Sequence, residues 1–272
     1  MKILYIAEIV GRPGSFVLRS MLTGLKAEYQ PHLIIVQGDA ASGGWGLSTQ
    51  NAWGIKKLGA NLIILADLAY NKKDMQELLD QAPFLIRPLN LPPQGPGKGW
   101  RILQMEDQKL GVISLLGQNG FQRLHADNPI RSFEFAREKI LKETPNLIVD
   151  LHALSTAEKS TFFHYARGKC SAVIGSGTRV PTADGQIQQG TFTLSDVGRT
   201  GSFLSCGGMV PGPEIQRFSL GLHEASEESW EGLEIQGLLL EVDEQGKSTH
   251  FNCIRIPCKE KPNGDGRDRS IN

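Results

Sequence analysis

Three acidic side chains stand where apolar, β-type runs give out: Glu8 after residues 2–7, Asp39 after 32–36 and Asp67 after 61–65. The carboxyl ends of neighbouring parallel strands lie side by side, and ligands collect there. The three carboxylates therefore either converge on one edge or stand apart as solvated loop charges, since structural ion pairs are common. A fourth run, 147–152, delivers Asp150 and His152 to one face by the two-residue strand period. A histidine there is either a ligand or a hydrogen-bonded core residue. A fifth run, 172–174, opens into Gly175, Ser176 and Gly177, with Arg179 beyond. That turn reads two ways: a phosphate-cradling nest with Arg179 as anion partner, or an ordinary glycine turn. Trp45, flanked by Gly44 and Gly46, either stacks on a base or packs against protein.

The elements that must position these residues follow a rhythm. Strand, loop and helix recur three times between residues 2 and 79, which predicts parallel strands with crossover helices and an α/β fold. Helical spacing marks 16–25, 48–58, 73–79, 133–141 and 156–167. Residues 8–14 read as a turn, 87–99 as a Pro/Gly-rich connector, and 100–105 with 110–115 as a hairpin. Residues 190–213 read as turn-rich, and 232–242 with 250–256 as an antiparallel pair. Residues 1–258 are expected to form a single domain, and 259–272 a polar, disordered tail.

Composition narrows the function. Lys and Arg total 29 and so do Asp and Glu, so no basic footprint for nucleic acid is evident. Four scattered cysteines make neither a disulfide framework nor a zinc motif, and Cys170 and Cys206 are expected to be buried thiols. No secretory signal and no membrane-length apolar run is visible. A cytoplasmic protein is expected.

The motifs, in order, are Ile9-Val10-Gly11-Arg12-Pro13-Gly14, Gly44-Trp45-Gly46-Leu47-Ser48, Lys72-Lys73-Asp74, Arg87-Pro88-Leu89-Asn90 with Pro96-Gly97-Lys98-Gly99, Pro181-Thr182-Ala183-Asp184, Ser195-Asp196-Val197-Gly198 and Thr200-Gly201. Together they resemble the YmdB-like branch of the calcineurin-like metallophosphoesterases, described as 2',3'-cyclic-nucleotide phosphodiesterases. The resemblance implies a four-layered α/β/β/α sandwich. It also implies phosphoester hydrolysis by two metal ions at the strand ends, with a histidine protonating the leaving alkoxide.

Against that family pattern, residue types change. The first-loop ligand Asp is Glu8, the Glu-Asn pair is Asp39-Ala40, and the Asn-His pair is Asp67-Leu68, which leaves Leu68 at the general-acid position. His152 is kept, and the His-x-His ligands become Gly177 and Arg179. Glu8, Asp39, Asp67 and His152 are the candidate residual ligands; Ala40, Gly177 and Arg179 are lost ligand positions; Gly175, Ser176 and Arg179 are candidate phosphate contacts. Without metals the carboxylates would repel and raise at least one pKa. Arg179, rigid and permanently charged, is then expected to pair with Asp39 or Glu8. The resulting expectation is a non-catalytic or weakly active homologue with a dismantled dinuclear site. The alternatives are a phosphodiesterase holding one weak Mg²⁺ or Mn²⁺, and a metal-independent nucleotide- or phosphate-binding protein. Expected partners are a nucleotide or phosphodiester and further copies of the chain, with no membrane and no nucleic acid.

Overall fold

The computed structural model describes residues 1–105, 107–121, 124–222 and 225–260. The chain runs β1 (Lys2–Ile6), β2 (Glu8–Ile9), α1 (Gly11–Tyr29), β3 (Leu33–Gln37), α2 (Thr49–Lys57), β4 (Leu62–Ile64), α3 (Lys73–Gln81) and β5 (Leu85–Ile86). It continues through β6 (Trp100–Gln104), β7 (Lys109–Leu116), α4 (Pro129–Ile140), β8 (Leu147–His152), α5 (Thr156–Ala166) and β9 (Ala172–Ser176). The remainder is β10 (Gln186–Gln188), β11 (Thr191–Leu194), β12 (Arg199–Ser202), α6 (Pro211–Leu220), β13 (Leu233–Val242) and β14 (Ser248–Pro257).

Two sheets result. One is ordered β2-β12-β13-β1-β3-β4-β5 with β14 paired to β13, the other β10-β11-β9-β8-β7-β6. Strands β1, β3, β4 and β5 are mutually parallel, as are β7, β8, β9 and β11. Strand alternation sorts side chains between layers. Ile3, Tyr5, Leu33 and Ile35 meet Val112, Ile148 and Ile174 between the sheets. Their neighbours Leu4, Ile6, Ile34 and Val36 face α1, α2 and α3 through Leu18, Leu22, Ile55 and Leu79. Ile113, Val149 and Val173 turn outward onto Phe133, Phe162 and Phe163 of α4 and α5. The layers are helix, sheet, sheet, helix, the four-layered sandwich that the sequence resemblance implies.

Several segments depart from expectation. Residues 8–14 are not a free turn: Glu8 and Ile9 pair with Arg199 and Thr200 of β12, and α1 begins at Gly11. Gly14 is required there, because a Cβ would meet the Thr200 carbonyl oxygen at 2.4 Å. The turn-rich stretch 190–213 holds β11, β12 and the start of α6. These strands are four residues long, too short for alternation to show. Cys206 is exposed, and Cys170 buried. The tail expected from 259 onward lies outside the described residues beyond position 260.

The connector 87–99 is irregular but anchored. The buried Arg87 guanidinium donates to the carbonyls of Pro88, Leu91, Pro92, Gly95 and Pro96. Asn90 exchanges hydrogen bonds with the Leu116 backbone through both ends of its amide. Backbone polar groups that no strand satisfies are thus satisfied by side chains. Among the described residues no helix is long and apolar enough to cross a membrane.

The β9 end is tightly packed against backbone. A Cβ on Gly175 would stand 2.0 Å from the Ser195 carbonyl oxygen and 2.7 Å from that of Leu194. Both obstacles are backbone, so relief requires shifting β11 from β9. Gly175→Ala is therefore expected to cost about 3 kcal/mol and to lower the melting temperature by roughly 10 °C, read by calorimetry.

Candidate functional site

The C-terminal ends of β3, β4, β8 and β9, with β2 beside them, bound a cavity of about 680 Å³. Its charged wall is Glu8, Asp67, His152 and Arg179, and its apolar wall is Trp45, Leu68, Phe121, Leu124 and Leu154. The Phe121 ring lies stacked on His152 with centroids 6.0 Å apart. Of the three strand-end carboxylates, Glu8 and Asp67 line the cavity and Asp39 lies buried without lining it, each with a different partner.

Glu8, buried in β2, accepts from Arg179 Nη2 at 2.7 Å and Nε at 3.0 Å, both on Oε1. Of the two partners expected for Arg179, Glu8 is the one it meets. Asp39 is fully buried and accepts from the amides of Ala66 at 2.7 Å and Leu68 at 2.9 Å. Asp67 Oδ1 lies 2.9 Å from His152 Nε2, and His152 Nδ1 lies 3.1 Å from Ser176 Oγ. Behind them Asp150, also buried, accepts from Tyr5 Oη at 2.5 Å and from Ser176 Oγ at 3.3 Å.

These contacts set protonation. Burial, then the Asp67 charge, pushes Asp39 up to about 8 against the pull of the His152 charge and the Ala66 amide. Burial raises Asp67 too, but the His152 hydrogen bond and charge outweigh it and hold the carboxylate below its ordinary value. Burial would lower His152, yet the bond to Asp67 raises it to about 9. Burial likewise works against the Arg179 charge, and Glu8 more than restores it. Burial pushes Asp150 up to about 6, moderated by Tyr5. Repulsion among the carboxylates thus falls on Asp39, the most deeply buried.

Of the candidate phosphate contacts only Arg179 reaches the cavity. Gly175 and Ser176 belong to β9 and are fully buried, and the Ser176 hydroxyl is committed to Asp150 and His152. The nest expected at 175–177 is corrected accordingly: β9 runs two residues further than the apolar run suggested. Gly177 does line the cavity, Leu68 lines it as well, and Ala40 is buried behind it. Trp45 sits at the rim, 64% exposed. Sequence reading missed Phe121, Leu124, Leu154 and Asn71, which lie in loops without periodicity or motif. Among the described residues, no three His, Cys, Asp or Glu side chains are grouped to hold a metal ion.

A pH dependence follows. Asp39 and His152 both bind protons more tightly in the folded chain than their ordinary values of 3.8 and 6.5. The stabilisation from His152 is complete below pH 6.5 and is lost as pH rises to about 9. That from Asp39 is lost earlier, as pH rises to about 8, so the two act with the same sign. Asp67, with a lowered value, loses its contribution only in acid. Chelator-treated protein should melt several degrees lower at about pH 9 than at about pH 6, and His152→Gln should flatten that slope.

Comparison with known proteins bears on the family and the fold. The family model described as YmdB-like protein matches residues 4–254. A 2',3'-cyclic-nucleotide 2'-phosphodiesterase of Bacillus subtilis (strain 168) is 33% identical over 248 residues, covering 91% of this chain and 93% of that one. The crystal structure of a novel phosphatase from Mycoplasma pneumoniae superposes with a TM-score of 0.87 at 30% identity, over 94% of this chain and 93% of that one. A hypothetical protein from Thermus thermophilus superposes with a TM-score of 0.85 at 28% identity, over 94% of this chain and 99% of that one. With residues 4–254 matched by the family model and a relative 33% identical over most of both chains, the chain belongs to the YmdB-like family of metallophosphoesterases.

Proposed function

We propose that this protein binds a phosphoester-bearing ligand in the strand-end cavity without a dinuclear metal centre and with little or no hydrolysis. The observation that carries the reading is the Arg179 guanidinium seated on Glu8 at 2.7 Å. A fixed cation there offsets the charge of a carboxylate that a metal ion could otherwise neutralise, and a guanidinium matches phosphate as well as carboxylate geometry. The remaining donors support the same reading. Both Asp39 oxygens accept backbone amides, and the two His152 ring nitrogens face Asp67 and Ser176. In this arrangement the donor set does not fit two metal ions, whose ligands must all point inward at about 2 Å.

The ligand class follows from the walls. Glu8, Asp67, His152 and Arg179 offer polar and charged contacts on one side, and Trp45, Phe121, Leu124 and Leu154 an apolar surface on the other. A nucleotide or comparable phosphodiester, with a charged end and a flat apolar end, suits both. The B. subtilis relative's name as a cyclic-nucleotide phosphodiesterase points to the same class. Leu68, at the position where the family pattern has a proton donor, lines the cavity and offers no proton.

A second reading, a phosphodiesterase working with one hard cation, is favoured by a single observation: Glu8 Oε2 is buried and has no hydrogen-bond partner. Metal analysis of purified protein and hydrolysis of bis-p-nitrophenyl phosphate with added Mn²⁺ decide between them. We expect substoichiometric metal and no turnover above that of an Asp39→Asn variant. Turnover abolished by Asp39→Asn would instead establish the enzyme. Nucleotide monophosphates should raise the melting temperature of the parent chain and not of Arg179→Ala, because a ligand that binds only the folded state stabilises it.

A further inference from the structure

Arg179 owes its place to groups outside the cavity. Its own backbone has φ of +60°, a left-handed conformation that costs a non-glycine residue about 1 kcal/mol or more. Something must hold it. Asp196 Oδ2 accepts from the backbone N–H of Thr178 at 2.8 Å and from its hydroxyl at 2.8 Å. Asp196 Oδ1 accepts from Gly198 N–H at 2.8 Å. The Asp196 backbone pairs with Thr182, its N–H donating to Thr182 Oγ1 and its carbonyl accepting Thr182 N–H. On the other side, Arg199 Nη1 donates to the Arg179 carbonyl at 2.7 Å. The turn carrying Arg179 is thus held at Thr178, at Arg179 itself and at Thr182.

The charge on Asp196 is met by Lys159 Nζ at 3.1 Å, both side chains 1% exposed. Lys159 lies on α5, and neither it nor Asp196 lines the cavity. A buried ion pair contributes little net stability compared with apolar residues of the same size. What it supplies is direction: the Lys159 ammonium against Oδ2 orients the carboxylate oxygens toward the turn's donors.

We propose that Lys159, acting through Asp196 and Thr178, is a positioning residue for Arg179, fixing its guanidinium on Glu8 and in the cavity where phosphate would bind. The phosphate part rests on the function proposed above; the positioning part does not.

The test is made on ¹⁵N-labelled full-length chain, with inorganic phosphate as probe. The Arg179 Nε–H resonance is assigned by its loss in Arg179→Lys, and its exchange with solvent is measured beside phosphate affinity. Lys159→Met combined with Asp196→Asn removes the pair without stranding a buried charge. Exchange is expected to quicken, and phosphate to bind more weakly, by about tenfold each, the effect of losing one charge-assisted hydrogen bond. Thr178→Val deletes one hydroxyl bond in an exposed turn, keeps the fold, and should move both readouts the same way by less. Should the double variant fail to fold, Thr178→Val alone decides. Unchanged exchange at Arg179 in the folded variants overturns the proposal. If Arg179→Ala leaves phosphate affinity untouched while the exchange arm responds, the positioning stands and the phosphate reading falls.

Discussion

Burying several carboxylates at one sheet edge is the constraint the rest of this structure answers to. Removing an ionised carboxylate from water costs several kcal/mol unless a counter-charge or hydrogen bonds replace the lost solvent. Glu8 and Asp39 are almost wholly buried and Asp67 lies beside them. The chain uses three remedies. A guanidinium covers Glu8, an imidazole covers Asp67, and two backbone amides with a raised pKa accommodate Asp39. Each remedy needs a segment held in one place, so the turns after β4 and β9 are as constrained as the strands that precede them.

The supporting framework likewise uses charged groups to satisfy backbone. Arg87 gathers five carbonyls of a connector that no strand pairs. Arg199 ties Arg179 to Ser202 and Phe203. Arg12, at the start of α1, pairs with Glu228 across 216 positions of sequence. Irregular backbone near a cavity must find hydrogen bonds somewhere, and long cationic side chains reach several acceptors at once. The half-exposed Arg12–Glu228 pair contributes more to geometry than to stability.

The family likeness and the site chemistry sit on different levels. A sandwich shared with phosphatases and phosphodiesterases is a frame on which strand-end loops can change while the layers persist. Here the loop residues bring cations that belong to the chain itself. In the proposed reading, anion recognition passes from exchangeable ions to Arg179 and its supports, and the apolar wall of Trp45, Phe121 and Leu154 supplies the remaining contact area.

The strand, loop and helix rhythm in the sequence determined parallel strands with crossover helices, whereas the second sheet was implied only by the family motifs, because 2–6, 33–37 and 147–152 are buried on both faces. The sequence also determined that acidic residues end three parallel strands and that Asp150 and His152 share a face. These are local properties, written within a few residues of the chain. Only the tertiary structure decided that Arg179 meets Glu8, 171 positions away, rather than Asp39. It decided too that Ser176 turns inward to Asp150, and that Lys159 reaches Asp196. Those pairings depend on which strands lie adjacent and on the left-handed turn at residue 179, and no pattern of neighbouring residue types encodes either.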